Sequence, residues 1–436
     1  MSKTFIFQTG HGKGLAKAEI LSLFPNSIID EVDDGFVVQT AEIEIDPEKP
    51  WAVKSIQDRM GGIVRITEVI QSGPANMPLN FEEWVICAIA ELASREENKD
   101  RKIRFGLSMH PKSEKILKKI LIGTKKNVQK SKTGKALINL RFVNKDFQNL
   151  SSVQAWHQKL LKNNSVELHL FRSNDDLEKP KWYLTRTLSI QDFEAYSHRD
   201  YDRPARSAKN GMFPPKLAQI LINLALSKDE SDENQTNANV DVDYIFDPFC
   251  GSGTVMQEAS LMGLMSWGSD LSEQMVEDSK KNLDWLKTEY SKKHILEMGK
   301  LPHIFQADAT KLTAEQIPSP SHFTIVTETW LGPILEKPLT DLERPKVQRE
   351  IEALYEAFFS NLKKILAGTE ITPVTMVFTA PYHRSGKDRH FLPNLPKILA
   401  EYTEIIPLSD HERPSLFFER KNQLVSREIW KVRIHP

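Results

Sequence analysis

From residue 242 onward the chain alternates apolar runs of strand length with helical stretches: "VDYIFDPFCGSGTVMQEASLMG", "LMSWGSDLSEQMVEDSKKNLDWL", "PHIFQADATKL", "HFTIVTETW" and "PVTMVFTAPY". Near-continuous apolar strands separated by helices call for crossover connections, which cover both faces of a sheet. The pattern predicts a doubly wound parallel sheet. Open sheets of this kind bind ligands beyond the C-terminal ends of their strands, so what each strand ends with carries the functional information.

The first strand ends in "DPFCGSGT", Asp247 to Thr254, just ahead of a predicted helix. Glycines in such a turn let backbone approach a ligand closely, and the helix N-terminus favours a negative group. The spacing is not that of a dinucleotide loop, and no Gly-Lys-Ser/Thr follows as a phosphate loop requires. S-adenosylmethionine fits better: Asp247 suits its methionine ammonium, and the backbone from Gly251 through Gly253 to Thr254 suits its carboxylate. The second strand ends in Asp270, where the ribose hydroxyls of a nucleoside would lie. The third leads to Asp308, placed to accept from an adenine amino group. Each acid alone also reads as a helix cap or a surface charge. Cys250 reads as a small packing residue.

Upstream, 436 residues exceed one ordinary domain. Residues 1–57 read as strand, helix and strand hairpin, a small α+β unit. Its "GHGKG" reads as a glycine turn. Residues 58–190 mix strands ("GIVRITEVI", "IRFGLSMH", "KALINLRFV", "SVELHLFRS", "KWYLTRTLSI") with helices, as an α+β platform does. Residues 191–436 form the third unit, interrupted by a polar surface loop over 227–241.

The formal net charge of -1 conceals an asymmetry. From Arg101 to Leu140 there are 12 Lys or Arg against the single acid Glu114, a block of +11. A helix here would pack Ile116, Leu117, Ile120 and Leu121 inward. It would present Lys115, Lys118, Lys119, Lys125, Lys126 and Lys130 to a phosphate backbone. No apolar run is long enough to span a membrane, and the N-terminus has no signal-peptide core, so a cytoplasmic protein is expected. Two cysteines, Cys87 and Cys250, argue for a reduced compartment with no metal site built on cysteine.

The loop "DPFCGSGT", preceded by "RPARSAKNGMFPPKLAQILINLA", resembles the methyltransferase domain of the THUMP-containing RNA guanine-N2 methyltransferases, above all those acting on guanosine 10 of tRNA. Further upstream, "RMGGIVRITEVI", "LSSVQAWHQKLL" and "WYLTRTLSIQDFEAYSHRDYDRP" resemble that family's N-terminal module. The resemblance implies a Rossmann-like class I methyltransferase domain preceded by a ferredoxin-like plus THUMP module that holds tRNA. A segment carrying Phe213 and Pro214 would close over the cofactor. A small activating subunit is left open, and neither a metal nor a membrane is implied.

Where the family carries Asp-Pro-Pro-Tyr after the fourth strand, this chain reads Thr327, Glu328, Thr329 and Trp330, then Leu331-Gly332-Pro333, with the aromatic at a shorter interval from the acid. Glu328 is placed to accept from an exocyclic amine and Trp330 to stack on the base. Both prolines are absent, and the acid is one methylene longer. Methylation of a ribosomal guanine or of an adenine amine, and a silent RNA-binding relative, stay open beside the tRNA reading.

Overall fold

The computed structural model describes residues 3–10, 12–43, 50–74, 80–99, 101–129, 139–173, 180–206, 212–227, 244–291, 302–318, 323–367, 373–409, 411–420 and 423–435. By internal contacts the chain forms two compact units. One comprises residues 1–13, 24–59 and 63–193, the other residues 14–23, 60–62 and 194–436.

The first unit is built on an eight-stranded sheet. Its strands are β1 (Lys3–Thr9), β2 (Ile28–Val32), β3 (Gly35–Thr40), β4 (Ile63–Pro74), β5 (Ile103–His110), β6 (Leu140–Phe142), β7 (Ser165–Arg172) and β8 (Lys181–Ile190), in the order β2-β3-β1-β4-β8-β7-β5-β6. The expected boundary at residues 57 and 58 falls inside this sheet, because β1 and β4 on its two sides are antiparallel neighbours. The helices are α1 (Lys13–Leu23, which belongs to the second unit from Gly14 on), α2 (Pro50–Arg59), α3 (Phe81–Ser94), α4 (Glu114–Gln129) and α5 (Ser152–His157).

The basic helix forms as α4, and Lys115, Lys118, Lys119, Lys125 and Lys126 are all exposed on it. Lys130 lies outside the described residues. Leu117, Ile120, Leu121 and Val128 are buried against the sheet, but Ile116 is 39% exposed, against expectation. Positions 117, 120, 121, 124 and 128 already complete one helical face, and residue 116 stands about 100° round from its leading edge.

The second unit opens with α6 (Phe193–Tyr201) and α7 (Pro215–Leu226). Then come β9 (Tyr244–Asp247), α8 (Thr254–Leu261), β10 (Met265–Asp270), α9 (Glu273–Ser291), β11 (His303–Gln306), β12 (Phe323–Glu328), α10 (Arg344–Leu366) and β13 (Val374–Ser385). The end of the chain adds β14 (Asp388–His390), α11 (Leu395–Tyr402), β15 (Glu404–Ile406), β16 (Leu416–Phe418) and β17 (Val425–Ile434). The sheet runs β11-β10-β9-β12-β13-β17-β15. Its first five members are parallel, and β17 returns antiparallel. This is the doubly wound α/β arrangement expected from the apolar alternation. The strand order reverses at β9, which has β10 on one side and β12 on the other, so the crevice opens between the ends of β9 and β12. His383 is buried inside β13, because that strand continues six residues past its pairing with β12. Both cysteines are free, Cys87 exposed and Cys250 buried.

A buried carboxylate fastens α1 within this unit. Glu19 accepts from the backbone N–H groups of Gly61 and Gly62, both at 2.8 Å, and from Asn223 Nδ2 at 2.9 Å. Burial raises its pKa to about 7. Glu19→Ala strands these three donors away from water, and we expect a loss of about 3 kcal/mol in urea unfolding at pH 8. A change under about 0.5 kcal/mol would remove the clamp from the account.

Candidate functional site

The loop after β9 shows why two of its residues are glycine. Gly253 adopts φ 82°, and a Cβ there would meet Ser279 Oγ at 2.3 Å. Gly251 has φ 50°, and a Cβ there would meet nothing within 4 Å, so its outer face is open for a ligand. The loop is held from below by Asp270. One of its oxygens accepts from Gly251 N and the other from Ser272 N, both at 2.9 Å. Arg203, 3% exposed, donates through Nη1 to Thr254 Oγ1 at 2.7 Å, at the first residue of α8.

At the end of β12 there is no proline to set the backbone. Two threonines anchor it instead. Thr327 Oγ1 donates to Asp247 Oδ1 at 2.6 Å, tying β12 to β9. Thr329 Oγ1 bonds the Tyr355 hydroxyl and the Thr379 carbonyl oxygen. Glu328, the last residue of β12, alternates away from Thr327, and Trp330 lies beyond the strand end.

Five of the expected residues line one cavity of about 110 Å³: Phe213, Asp247, Gly251, Thr254 and Glu328. Phe249, Cys250, Met275 and Asp278 complete much of its wall. Met275 and Asp278 lie on α9 and were not foreseen, since nothing in a helix sequence marks which turn faces a ligand. Asp247 is 2% exposed, and its Oδ1 also accepts from Phe249 N at 3.2 Å. Burial pushes its pKa up to about 7, and the carboxylates of Asp270 and Glu328 push the same way. Glu328 keeps 17% of its side chain exposed and receives Arg427 Nε on Oε1 at 2.5 Å. Its pKa is raised by burial, against the pull of the Arg427 guanidinium.

The other expected residues lie elsewhere. Asp270 supports the loop from outside the lining, as described above. Asp308 caps a short 3-10 turn by accepting from Thr310 N at 2.9 Å, and it pairs with Lys311 at 3.3 Å, so its carboxylate serves its own turn. Pro214 is the N-cap residue of α7. Trp330 is 43% exposed and outside the cavity wall.

The chemistry of the lining selects the ligand. Asp247, Asp278 and Glu328 leave a cavity that attracts a cation and repels phosphates, which is the opposite of a nucleotide-triphosphate site. A cationic amine beside Asp247 relieves a buried carboxylate, and the first turn of α8 takes a carboxylate. The cavity is smaller than the roughly 300 Å³ or more of whole-ligand pockets, so it suits one end of a nucleoside cofactor with the remainder extending over the outer strand ends. Among the described residues no group of three or more His, Cys, Asp or Glu is placed to hold a metal, and no helix is long and apolar enough to cross a membrane.

Comparison with known proteins agrees with this chemistry. Residues 206–389 match the family model described as RMKL-like, methyltransferase domain, and residues 94–281 match a DNA methylase model. A tRNA (guanine(10)-N2)-dimethyltransferase of Methanothermobacter thermautotrophicus is 35% identical over 119 residues, which are 25% of this chain and 32% of the relative. Its counterpart from Pyrococcus abyssi is 30% identical over 149 residues, 34% of this chain and 37% of the relative. The chain thus spans about a third of the curated relatives it matches. Among solved structures, TrmN from Thermus thermophilus aligns over 99% of both chains at 13% identity with a TM-score of 0.48. The resemblance read from the glycine loop is matched by the two relatives named tRNA (guanine(10)-N2)-dimethyltransferase over their aligned residues, and by the methyltransferase-domain model over residues 206–389.

Proposed function

We propose that the protein is an S-adenosylmethionine-dependent RNA methyltransferase that modifies the exocyclic N2 amine of a guanosine, position 10 of tRNA being the favoured target. The observation that carries this reading is the convergence of Asp247, the glycine loop and Glu328 on one acidic cavity at the reversal point of the sheet.

S-adenosylmethionine, when bound, supplies an electrophilic methyl on a sulfonium. Asp247 would hold its ammonium, and Gly251 to Thr254 its carboxylate. Asp270 acts through the loop it supports. The guanine N2 lone pair is delocalised into the ring, so the amine is a weak nucleophile until acceptors hold its protons. Glu328 Oε1 is occupied by Arg427. We assign Oε2, with no protein hydrogen bond among the described residues, as the acceptor for an amine proton. Transfer would exchange the S–CH3 bond for an N–CH3 bond and leave the cofactor as its neutral thioether, and the proton shed by the amine would pass to that Glu328 oxygen or to water. Catalysis is then positioning and electrostatic preorganisation. Trp330, exposed beyond the strand end, suits stacking on a base taken out of its helix.

The ferredoxin-like segment 1–57 and the THUMP-like segment 58–190 share one sheet and are assigned to holding RNA, ahead of the catalytic part 191–436. The exposed lysines of α4 would contact phosphates without reading sequence. Lys118 Nζ sits 5.2 Å from the centre of the Phe147 ring, which steadies one of them. A cytoplasmic location is assigned together with the tRNA substrate.

The test is incubation of the full chain with bulk tRNA and methyl-labelled cofactor, followed by digestion to nucleosides. Label in N2-methylguanosine is expected. Label confined to adenosine would overturn the substrate assignment.

A further inference from the structure

Arg427 and Glu328 stand 99 residues apart in the sequence and meet at the wall of the cavity, which Glu328 lines. We propose that Arg427 is a positioning residue for methyl transfer, holding the Glu328 carboxylate in one orientation and as an anion, so that its second oxygen is an acceptor for the substrate amine. The inference rests on the methyltransferase reading above.

Three observations support it. Arg427 is 3% exposed, on a strand whose backbone is locked antiparallel to β13 with Pro381 as its partner, so its side chain has a fixed origin. Its guanidinium lies 5.9 Å from the centre of the Phe213 ring, which lines the same cavity, so the ring limits how the group swings. Its Nε donates to Glu328 Oε1 at 2.5 Å. A glutamate has one more rotor than the aspartate it replaces in the Asp-Pro-Pro-Tyr pattern. A bond to a rigid strand removes that freedom before substrate arrives.

The charge argument runs the same way. Glu328 faces Arg427 on β17, Arg420 just before the last strand, Asp247 on β9 and Tyr355 on α10. Burial favours a proton on Glu328, and a protonated carboxyl would offer the amine a donor where an acceptor is needed. Arg427, hydrogen-bonded to the carboxylate, opposes burial most strongly, and Arg420 pulls the same way. With Arg427 removed, the Glu328 pKa rises, the anionic fraction at neutral pH falls, and activity is recovered only at higher pH.

The test compares Arg427→Met and Arg427→Gln with Arg427→Lys in the full chain. The Glu328 carboxylate is titrated by 13C NMR of side-chain-labelled glutamate, its signal assigned by its loss in Glu328→Gln. Both neutral variants are expected to raise the midpoint by about one to three pH units, with Lys returning it toward the wild-type value. Single-turnover transfer to tRNA should shift its acidic limb upward by the same interval while cofactor affinity at pH 8 is not weakened. An unmoved midpoint overturns the proposal, as does a rate loss equal at every pH, which would mark Arg427 as purely structural. Wild-type protein inert toward every RNA, with the midpoint shift still present, would overturn the methyltransferase reading and leave the Arg427 clamp standing.

Discussion

Glu328→Ala is expected to lower single-turnover methyl transfer to tRNA by about 10²- to 10⁴-fold, the range for a group that manages the proton of a reacting atom. RNA affinity should not change, because the lysines assigned to the phosphate backbone lie on α4. Cofactor affinity should hold or improve slightly. The Glu328 carboxylate helps to raise the pKa of Asp247, so its removal leaves more Asp247 ionised for a cationic ligand. Glu328→Gln retains an acceptor oxygen but no charge, and should fall between wild type and Ala. Transfer by Glu328→Ala within about threefold of wild type would dismiss Glu328 from the reaction.

Asp247→Asn is expected to weaken S-adenosylmethionine binding by about 10²-fold or more, since it truncates one partner of a buried charge pair. Its hydrogen bonds from Thr327 and Phe249 need only an oxygen, which asparagine keeps, so the loop should survive. The pH dependence gives this prediction its sign. A ligand ammonium binds the deprotonated carboxylate, and that group has a pKa of about 7 in the free protein. Wild-type affinity should therefore fall about tenfold per pH unit below that point, whereas the variant is flat.

Stability should move the other way. The folded pKa of Asp247 lies above the unfolded value of about 3.9, so the folded state binds the extra proton between them. The contribution is fully present below pH 4 and is lost as pH rises through 7. Without cofactor, Asp247→Asn should thus gain thermal stability over wild type across that window and hold the gain above it. Calorimetry from pH 4 to pH 9 reads this directly. A difference that does not vary with pH would show that Asp247 is not the buried, proton-hungry group described.

Much of the fold was legible because its signals are local. The apolar alternation predicted the parallel sheet, and the strand–glycine–helix turn located the loop from Asp247 to Thr254. Glu328 stood out as a carboxylate ending an apolar strand. The acids were harder to interpret. Asp247, Asp270 and Asp308 look alike in the sequence, each at the end of a strand, yet one lines the cavity, one supports the loop backbone, and one caps its own turn. A side chain's partner depends on rotamer and on neighbouring backbone, and neither is encoded in spacing. The division at residues 57 and 58 follows local pattern alone, for a related reason. Each side reads as a small α+β piece, and only strand pairing shows that β1 and β4 belong to one sheet.

By itself the sequence determined the period of the strands, the place of the glycine turn and the sign of the charge on α4, because these follow from neighbouring residues along the chain. The tertiary structure alone decided that Asp247 and Glu328 face one small cavity, that Thr327 and Thr329 secure a strand end without prolines, and that Arg427 reaches Glu328 across 99 residues. Burial and pairing set the charge state of those carboxylates, and both arise only when distant segments pack against one another.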